Sequence, residues 1–386
     1  MRILFTTYSG LGKGGAEVSM KLLAEGLRKR GHDVYIASSG DYENGIRFKE
    51  FKGIPFYSYH NRYLIREFSK IVKGKKIELI HSQDRLTSIA AIRTAKKFNI
   101  PIVVNFRDYW FACPRSSCLA PDLTEYEKCS YSIILRKFPV KRWLWDMNKW
   151  RYIKSRWKEL NNADLKIANG SVIKRRLEKC GINNIKIIPV LRDFSEEKGN
   201  GKLIKDKYNL RKVVITFIGS LDYHKGIMNM LKIMPDIMDS KNISFLIVGD
   251  GPLLNKIKSM NHQGIVLTGR IDKKEMKDIY GASDIILLPS VWQEPLSGIL
   301  LEAAAYNKVV VSSNTGGTPD ILPEKYMLDP LDLKAWKIKI IELVNDEKLR
   351  EKLGTEWGRM AKEKYNVDAI AKLFEMEYYN VRDNRI

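Results

Sequence analysis

Short apolar runs, each followed by a stretch with helical spacing, recur along the whole chain, and this alternation restricts the possible folds most. In the first half the runs are RILFTTY (2–8), DVYIASS (33–39), IPFYSY (54–59), IELIHSQ (77–83), IPIVVNF (100–106), DLKIANG (164–170) and IKIIPVL (185–191). Helical stretches between them include Ala16–Lys29 and Leu86–Phe98, the second ending at an Asn-Ile-Pro break. The second half repeats the pattern with VVITFIGS (213–220), ISFLIVGDG (243–251), IVLTGR (265–270), DIILLPS (284–290), KVVVSSN (308–314) and KYMLDP (325–330). Strands without a polar face need helices on both sides, as in parallel sheets. Two such series in 386 residues predict an α/β protein of two Rossmann-like, doubly wound domains facing each other across a cleft. The polar, glycine-containing stretch at 193–206 reads as a linker between domains at 1–192 and 207–365, with a further helix at 367–379.

Charge narrows the partners. The net charge is +22, and it is uneven: residues 1–200 carry 39 Lys and Arg against 20 Asp and Glu, a net +19, while the rest carries +3. A basic first half suits an anionic membrane, an acidic acceptor or a nucleic acid. No helix-turn-helix, zinc-finger or RRM pattern supports the last, so a basic nucleic-acid-binding protein is the remote alternative and no nucleic acid is expected. No run reaches the roughly 18 apolar residues of a membrane span, and the chain opens on a strand and a glycine-rich turn rather than a signal peptide. Four cysteines fit a reducing compartment, and a cytoplasmic location follows.

Ligands of such sheets sit beyond the carboxyl ends of the strands, and unusual residues follow several strands directly. After the first comes SGLGKGGAE, with Gly10, Gly12, Gly14 and Gly15 leading into a helix. Glycines admit a phosphate close to the backbone, and a helix N-terminus adds unpaired N–H groups. The stretch is not a Walker loop, and a simple tight turn is its other reading. GSLDYHKG (219–226) brings Lys225, a compact charge suited to a diphosphate, although a surface lysine at a helix start is equally ordinary. VGDGP (248–252) ends another strand in a turn.

The most informative stretch is SVWQEPLSGILLEAAAYNK, residues 290–308, with Glu294 in the loop after a buried strand and Glu302 inside an Ala/Leu helix. Ser297 is placed to cap a helix over 298–306. Eight helical residues span roughly 12 Å, the reach of a nucleotide sugar from ribose across two phosphates to the transferred ring. Two carboxylates accept hydroxyl hydrogens at either end, and the N–H groups of Ser297, Gly298 and Ile299 between them suit a diphosphate.

Glu294-x7-Glu302, inside PSVWQEPLSGILLEAAAYNKVVVSSNTGGTPDI, resembles the signature of glycosyltransferase family 4, retaining enzymes of GT-B fold. GGAE (14–17), HSQD (81–84), VVNFRDYWFACPR (103–115), ADLKIANGS (163–171), Lys225–Gly226, LIVGDGP (246–252), VLTGRI (266–271) and IYGASDIILLPS (279–290) also fall in family order, so the resemblance spans nearly the whole chain. It implies a nucleoside-diphosphate sugar donor, UDP- or GDP-linked, and no further cofactor. Glu302 would bind the ribose and Glu294 the transferred sugar. Lys225 would neutralise the leaving diphosphate, with the backbone at Leu296, Ser297, Gly298 and Ile299 and at Gly14 and Gly15 of the opposite domain, and Gly219 and Ser220 would belong to the donor site. Arg270 and Ile271 would lie near the nucleobase and phosphates, and the helix at 367–379 would pack back on the first domain. Asp108 and His81 are candidate bases, His81 with a buried structural role as its other reading, and Arg107 with His81 would face the acceptor. The departing phosphate itself would take the acceptor proton.

Two departures stand out. Ser220 occupies a position where relatives commonly have arginine, and Arg107 one where they often have histidine; a guanidinium does not deprotonate, so Arg107 binds anions or sugar rather than acting as a base. The chain contains no Asp-x-Asp, so metal-independent transfer with retention is the expectation, to a cell-envelope polysaccharide or lipid-linked acceptor. Another GT-B enzyme, such as a sugar-nucleotide epimerase, is the nearer alternative. A zinc site at Cys113, Cys118 and Cys129 would want a fourth ligand and tighter spacing, so they read first as small buried residues of a loop, with a metal site as the other reading. In 136–160, Trp143, Met147, Trp150, Ile153, Trp157 and Leu160 recur at helical spacing among lysines and arginines. They read either as a core-packing stripe or as a helix lying in an anionic membrane interface, which would place the protein peripherally at the inner face.

Overall fold

The computed structural model describes residues 1–8, 10, 15–42, 45–50, 57–194, 199–239 and 242–384. The chain divides into two units, Met1–Leu191 with Val367–Ile386, and Arg192–Asn366.

The first unit is built on a parallel sheet of β1 (Arg2–Thr6), β2 (Asp33–Ser38), β3 (Ile46–Arg47), β4 (Leu79–Ser82), β5 (Ile102–Phe106), β6 (Leu165–Ala168) and β7 (Ile185–Ile187), in the order β3-β2-β1-β4-β5-β6-β7. Every residue of β4, β5 and β6 is buried, as a sheet covered on both faces requires. Its helices are α1 (Gly15–Lys29), α2 (Tyr57–Lys75), α3 (Arg85–Phe98), α4 (Tyr131–Lys137), α5 (Trp143–Ser155), α6 (Trp157–Asn161) and α7 (Ser171–Lys179).

The second unit has β8 (Val213–Ile218), β9 (Ile243–Val248), β10 (Ile265–Gly269), β11 (Ile285–Leu288), β12 (Val309–Ser313) and β13 (Met327–Leu328), in the order β10-β9-β8-β11-β12-β13. Around it lie α8 (Gly201–Lys207), α9 (Ile227–Asp239), α10 (Leu254–Ser259), α11 (Met276–Ala282), α12 (Gly298–Ala305), α13 (Leu333–Asn345) and α14 (Glu347–Lys364). α15 (Val367–Asp383) then returns to the first unit, where Ile370, Phe374 and Tyr378 join a core with Leu23, Leu27 and Phe5.

Both sheets reverse their order once, between β1 and β4 and between β8 and β11. Connections leave such a point in opposite directions, which opens a crevice beyond the strand ends where ligands bind.

Three sequence expectations need correction. The described part of the run at 54–59 is not a strand: Tyr57 to Tyr59 open α2, residues 54–56 lie outside the described residues, and the sheet ends on β3 at Ile46–Arg47. The second half of the 193–206 linker turns into a helix. Arg192 already belongs to the second unit, 195–198 lie outside the described residues, and α8 begins at Gly201 and packs on α11 so closely that a Cβ on Gly201 would fall 2.3 Å from the Gly281 carbonyl carbon. Residues 136–160 form no single helix: α4 ends at Lys137, Pro139 turns the chain through a short 3-10 segment, and α5 and α6 meet at Arg156.

Candidate functional site

The β8–β11 crevice gathers the residues that stood out after the strands. The loop after β8 ends in a 3-10 turn, Tyr223–Lys225, and the loop after β11 carries Ser290 to Ser297. The Val291 N–H donates to the His224 carbonyl at 3.0 Å and ties the two loops together. Lys225 Nζ then lies 2.8 Å from Glu294 Oε1, each side chain about one-fifth exposed, and Ser290 Oγ donates to Glu294 Oε2 at 3.2 Å. Two glycines make this fit possible. Gly226 has φ +73° and its Cβ would strike the Pro289 carbonyl oxygen at 1.8 Å; Gly316 has φ +61° and its Cβ would strike the Glu294 carbonyl oxygen at the same distance.

α12 begins beside Glu294. Ser297 holds the N-cap position with φ −78° and ψ 116°, but its side chain makes no capping bond, so the expected cap is positional only. The first-turn N–H groups have no partner within the helix by geometry, and the axis presents its positive end there. Glu302, further along α12, is held at both oxygens: Tyr280 OH donates to Oε2 at 3.0 Å and Arg192 Nε lies 3.3 Å from Oε1. Arg192 reaches this place because residue 298 is glycine, whose Cβ would sit 1.8 Å from Nη2. Tyr280 in turn stacks on Tyr306, with ring centres 5.0 Å apart. Neither Arg192 nor Tyr280 was singled out in the sequence. Arg192 fell in a stretch read as a boundary, and nothing local marks its partner.

Gly219, Ser220, Asp250, Arg270 and Ile271 line a neighbouring hollow of about 460 Å³ in the same unit, reached by the loop that continues to Lys225.

In the first unit, the β1–β4 crevice opens into a hollow of about 220 Å³ lined by Tyr8, Asp84, Arg85, Arg107 and Asp108. Asp84 caps α3, accepting the N–H groups of Leu86 at 2.7 Å and Thr87 at 3.0 Å, and also that of Tyr8. Asp108 accepts the Trp110 N–H at 2.7 Å. Its carboxyl keeps contact with solvent, yet protein surrounds it, and this desolvation raises its pKa to about 6 against the pull of the Trp110 bond and Arg85. Gly15 is the first residue of α1, while Gly14 lies outside the described residues.

His81 lies in the core and not on the surface of the hollow. It has no exposed surface; its Nδ1 lies 2.6 Å from Tyr378 OH, and its ring packs on Phe5 and Phe374 at 4.9 and 5.4 Å. Burial, with the charge of Arg107, holds its pKa well below the ordinary value, so it is a neutral core residue under α15.

The apolar stripe of 143–160 also belongs to the core. Trp150, Ile153 and Leu160 are buried, and Trp143, Met147 and Trp157 pack against the cluster of Ile134, Phe138 and Cys129. A different set faces outward: Leu144 is 85% exposed, Val140 70%, Leu135 44% and Trp145 38%. Among the described residues no helix is long and apolar enough to cross a membrane. All four cysteines are free and buried, and among the described residues no three His, Cys, Asp or Glu side chains converge as a metal site.

Comparison with known proteins fits this arrangement. The family model described as Glycosyltransferase Family 4 matches residues 13–193, and Glycosyl transferases group 1 matches 201–357. An uncharacterized glycosyltransferase of Methanocaldococcus jannaschii is 26% identical over 93% of this chain and 92% of its own length. HepE of Anabaena, solved in complex with UDP, superposes with a TM-score of 0.73 at 16% identity, covering 98% of this chain and 100% of that one. Sucrose-phosphate synthase of Thermosynechococcus elongatus gives 0.76 at 18% identity, covering 100% of both chains. With one model on each half and the paired Rossmann-like sheets of GT-B enzymes, the chain belongs to the family 4, group 1 glycosyltransferases.

Proposed function

We infer that this glycosyltransferase takes its sugar from a UDP- or GDP-linked donor, retains the anomeric configuration and needs no metal ion. Its acceptor is a saccharide or lipid-linked saccharide of the cell envelope, met at the inner face of a membrane. The observation that carries this reading is the 2.8 Å contact of Lys225 with Glu294 at the β8–β11 crevice, beside the N-terminus of α12.

Breaking the bond between sugar and diphosphate builds negative charge on the leaving phosphate and positive character on the sugar ring. Lys225 and the first-turn N–H groups of α12 are fixed before the reaction and interact more strongly as that charge develops, which lowers the barrier. Glu294 accepts hydroxyls of the transferred sugar, and Glu302, anchored at both oxygens, accepts those of the ribose. Asp108, lining the hollow of the first unit, is assigned to the acceptor side. The absence of Asp-x-Asp from the sequence supports transfer without metal. The HepE structures with UDP and with UDP-glucose support a uridine donor.

Thermal shift with UDP, GDP and their common sugars tests the donor, and NMR of the product anomer tests retention. A stabilised protein and an axial product from an axial donor are expected; no shift with any nucleotide, or an inverted product, would overturn the reading.

A further inference from the structure

Four cations gather near the buried carboxylate of Asp146, beside the first unit's hollow. Asp146 has no exposed surface; Arg115 Nη2 and Arg142 Nε each lie 3.4 Å from its Oδ2, and its Oδ1 has no partner. Arg115 also stacks over Phe138, 4.1 Å from the ring centre. Arg85, at the first position of α3, reaches the Pro114 carbonyl at 3.5 Å, and the buried Nε atoms of Arg85 and Arg115 make no hydrogen bond. Lys149, one turn beyond Asp146 on α5, completes the group. Its pKa falls to about 8 through burial and then through the charge of Arg85. Asp146, with Asp108 on the far side of Arg85, still leaves two carboxylates against four cations, and the partly buried Arg85, Arg115 and Lys149 repel at a cost that water screens only partly. The group therefore favours an anion, and guanidinium forks match phosphate oxygens.

Two features say which phosphate. Arg85 also lines the hollow that holds Asp108, so the anion sits next to the place of the acceptor. On the other side, Arg142 leads into the outward-facing Val140, Leu144 and Trp145, flanked by exposed Lys141, Arg136 and Lys137. Aliphatic side chains this exposed favour an apolar occupant, and tryptophan among basic residues suits the boundary between headgroups and acyl chains.

We propose that Arg85, Arg115, Arg142 and Lys149 seat the phosphate of a lipid-linked acceptor, a saccharide joined through phosphate to a long apolar chain that leaves across Val140, Leu144 and Trp145. The proposal rests on the glycosyltransferase reading and names the class of its acceptor.

The test compares farnesyl phosphate, farnesol and inorganic phosphate by calorimetry on the full chain, wild type, Arg85→Gln and Lys149→Gln. Farnesyl phosphate should bind at least tenfold more tightly than either fragment and lose tenfold or more in each variant. The UDP-induced thermal shift of the variants should match wild type, showing that they fold and that the donor side is intact. Equal binding of inorganic phosphate would reduce the seat to an anion site and overturn the proposal, as would farnesyl phosphate binding that both variants keep. Vesicles of phosphatidylglycerol form a second arm. If the variants lose them as severely as they lose farnesyl phosphate, the ligand is bulk bilayer charge and the proposal fails. If neither UDP nor GDP gives a shift even in wild type, the donor reading fails, while farnesyl phosphate still judges the seat.

Discussion

With Lys225 and Glu294 holding each other at 2.8 Å, their separate losses should be distinguishable. Glu294→Ala removes a hydroxyl acceptor and should lower kcat by about a hundredfold or more while UDP still binds. Lys225→Ala should weaken UDP and slow turnover together, by about tenfold or more each. Steady-state kinetics beside calorimetry separate the two, and unchanged kinetics for the lysine variant would make Lys225 a surface residue. Arg192→Met frees one oxygen of Glu302 and should raise the UDP Kd about tenfold, ~1.4 kcal/mol, with partial recovery in Arg192→Lys. The pKa of about 6 at Asp108 gives a sign as well. If its carboxylate assists the acceptor, kcat/KM rises with pH through about 6, and Asp108→Asn removes that limb. Lys225 and Glu294 were legible because they directly follow strands. Arg192 and His81 were not, since what decides them, Gly298 with Glu302 in one case and Tyr378 in the other, comes from far along the chain.

At the scale of elements, α12 and the guanidinium of Arg192 share a space that only glycine leaves open. Gly298→Ala should push Arg192 aside, costing about 1 kcal/mol of overpacking and a few degrees of Tm. It should reproduce the UDP defect of Arg192→Met; a normal UDP Kd would show that Arg192 does not act through this contact. The parallel strands were readable because a sheet covered on both faces turns each strand into a continuous apolar run. The run at 54–59 misled for the opposite reason: tyrosines favour strands locally, while the spacing that buries Leu64, Phe68 and Val72 draws Tyr57 to Tyr59 into a helix. In 143–155 the stripe pattern was visible, but the sequence could not say which side of α5 met protein. Trp150 and Ile153 turn inward to the Phe138 cluster, which leaves Leu144 and Trp145 outside.

For the whole molecule, the +19 on residues 1–200 is a long-range field rather than a contact. Sedimentation with vesicles should show binding to anionic lipid, little to neutral lipid, and release as salt rises from about 0.1 to 1 M, where the Debye length contracts from about 10 Å to about 3 Å. Binding that ignores salt would contradict an electrostatic origin. The discontinuous first unit has another consequence. Its core is roofed by Ile370, Phe374 and Tyr378 of α15, which a ribosome makes only after all of Arg192–Asn366. During synthesis the earlier sheet must wait, with Leu23, Leu27 and the flank of His81 uncovered, until a segment encoded after a further 175 codons arrives to close it. A nascent chain halted before that segment should therefore present a sticky, chaperone-seeking face on its older half while its younger half is already finished.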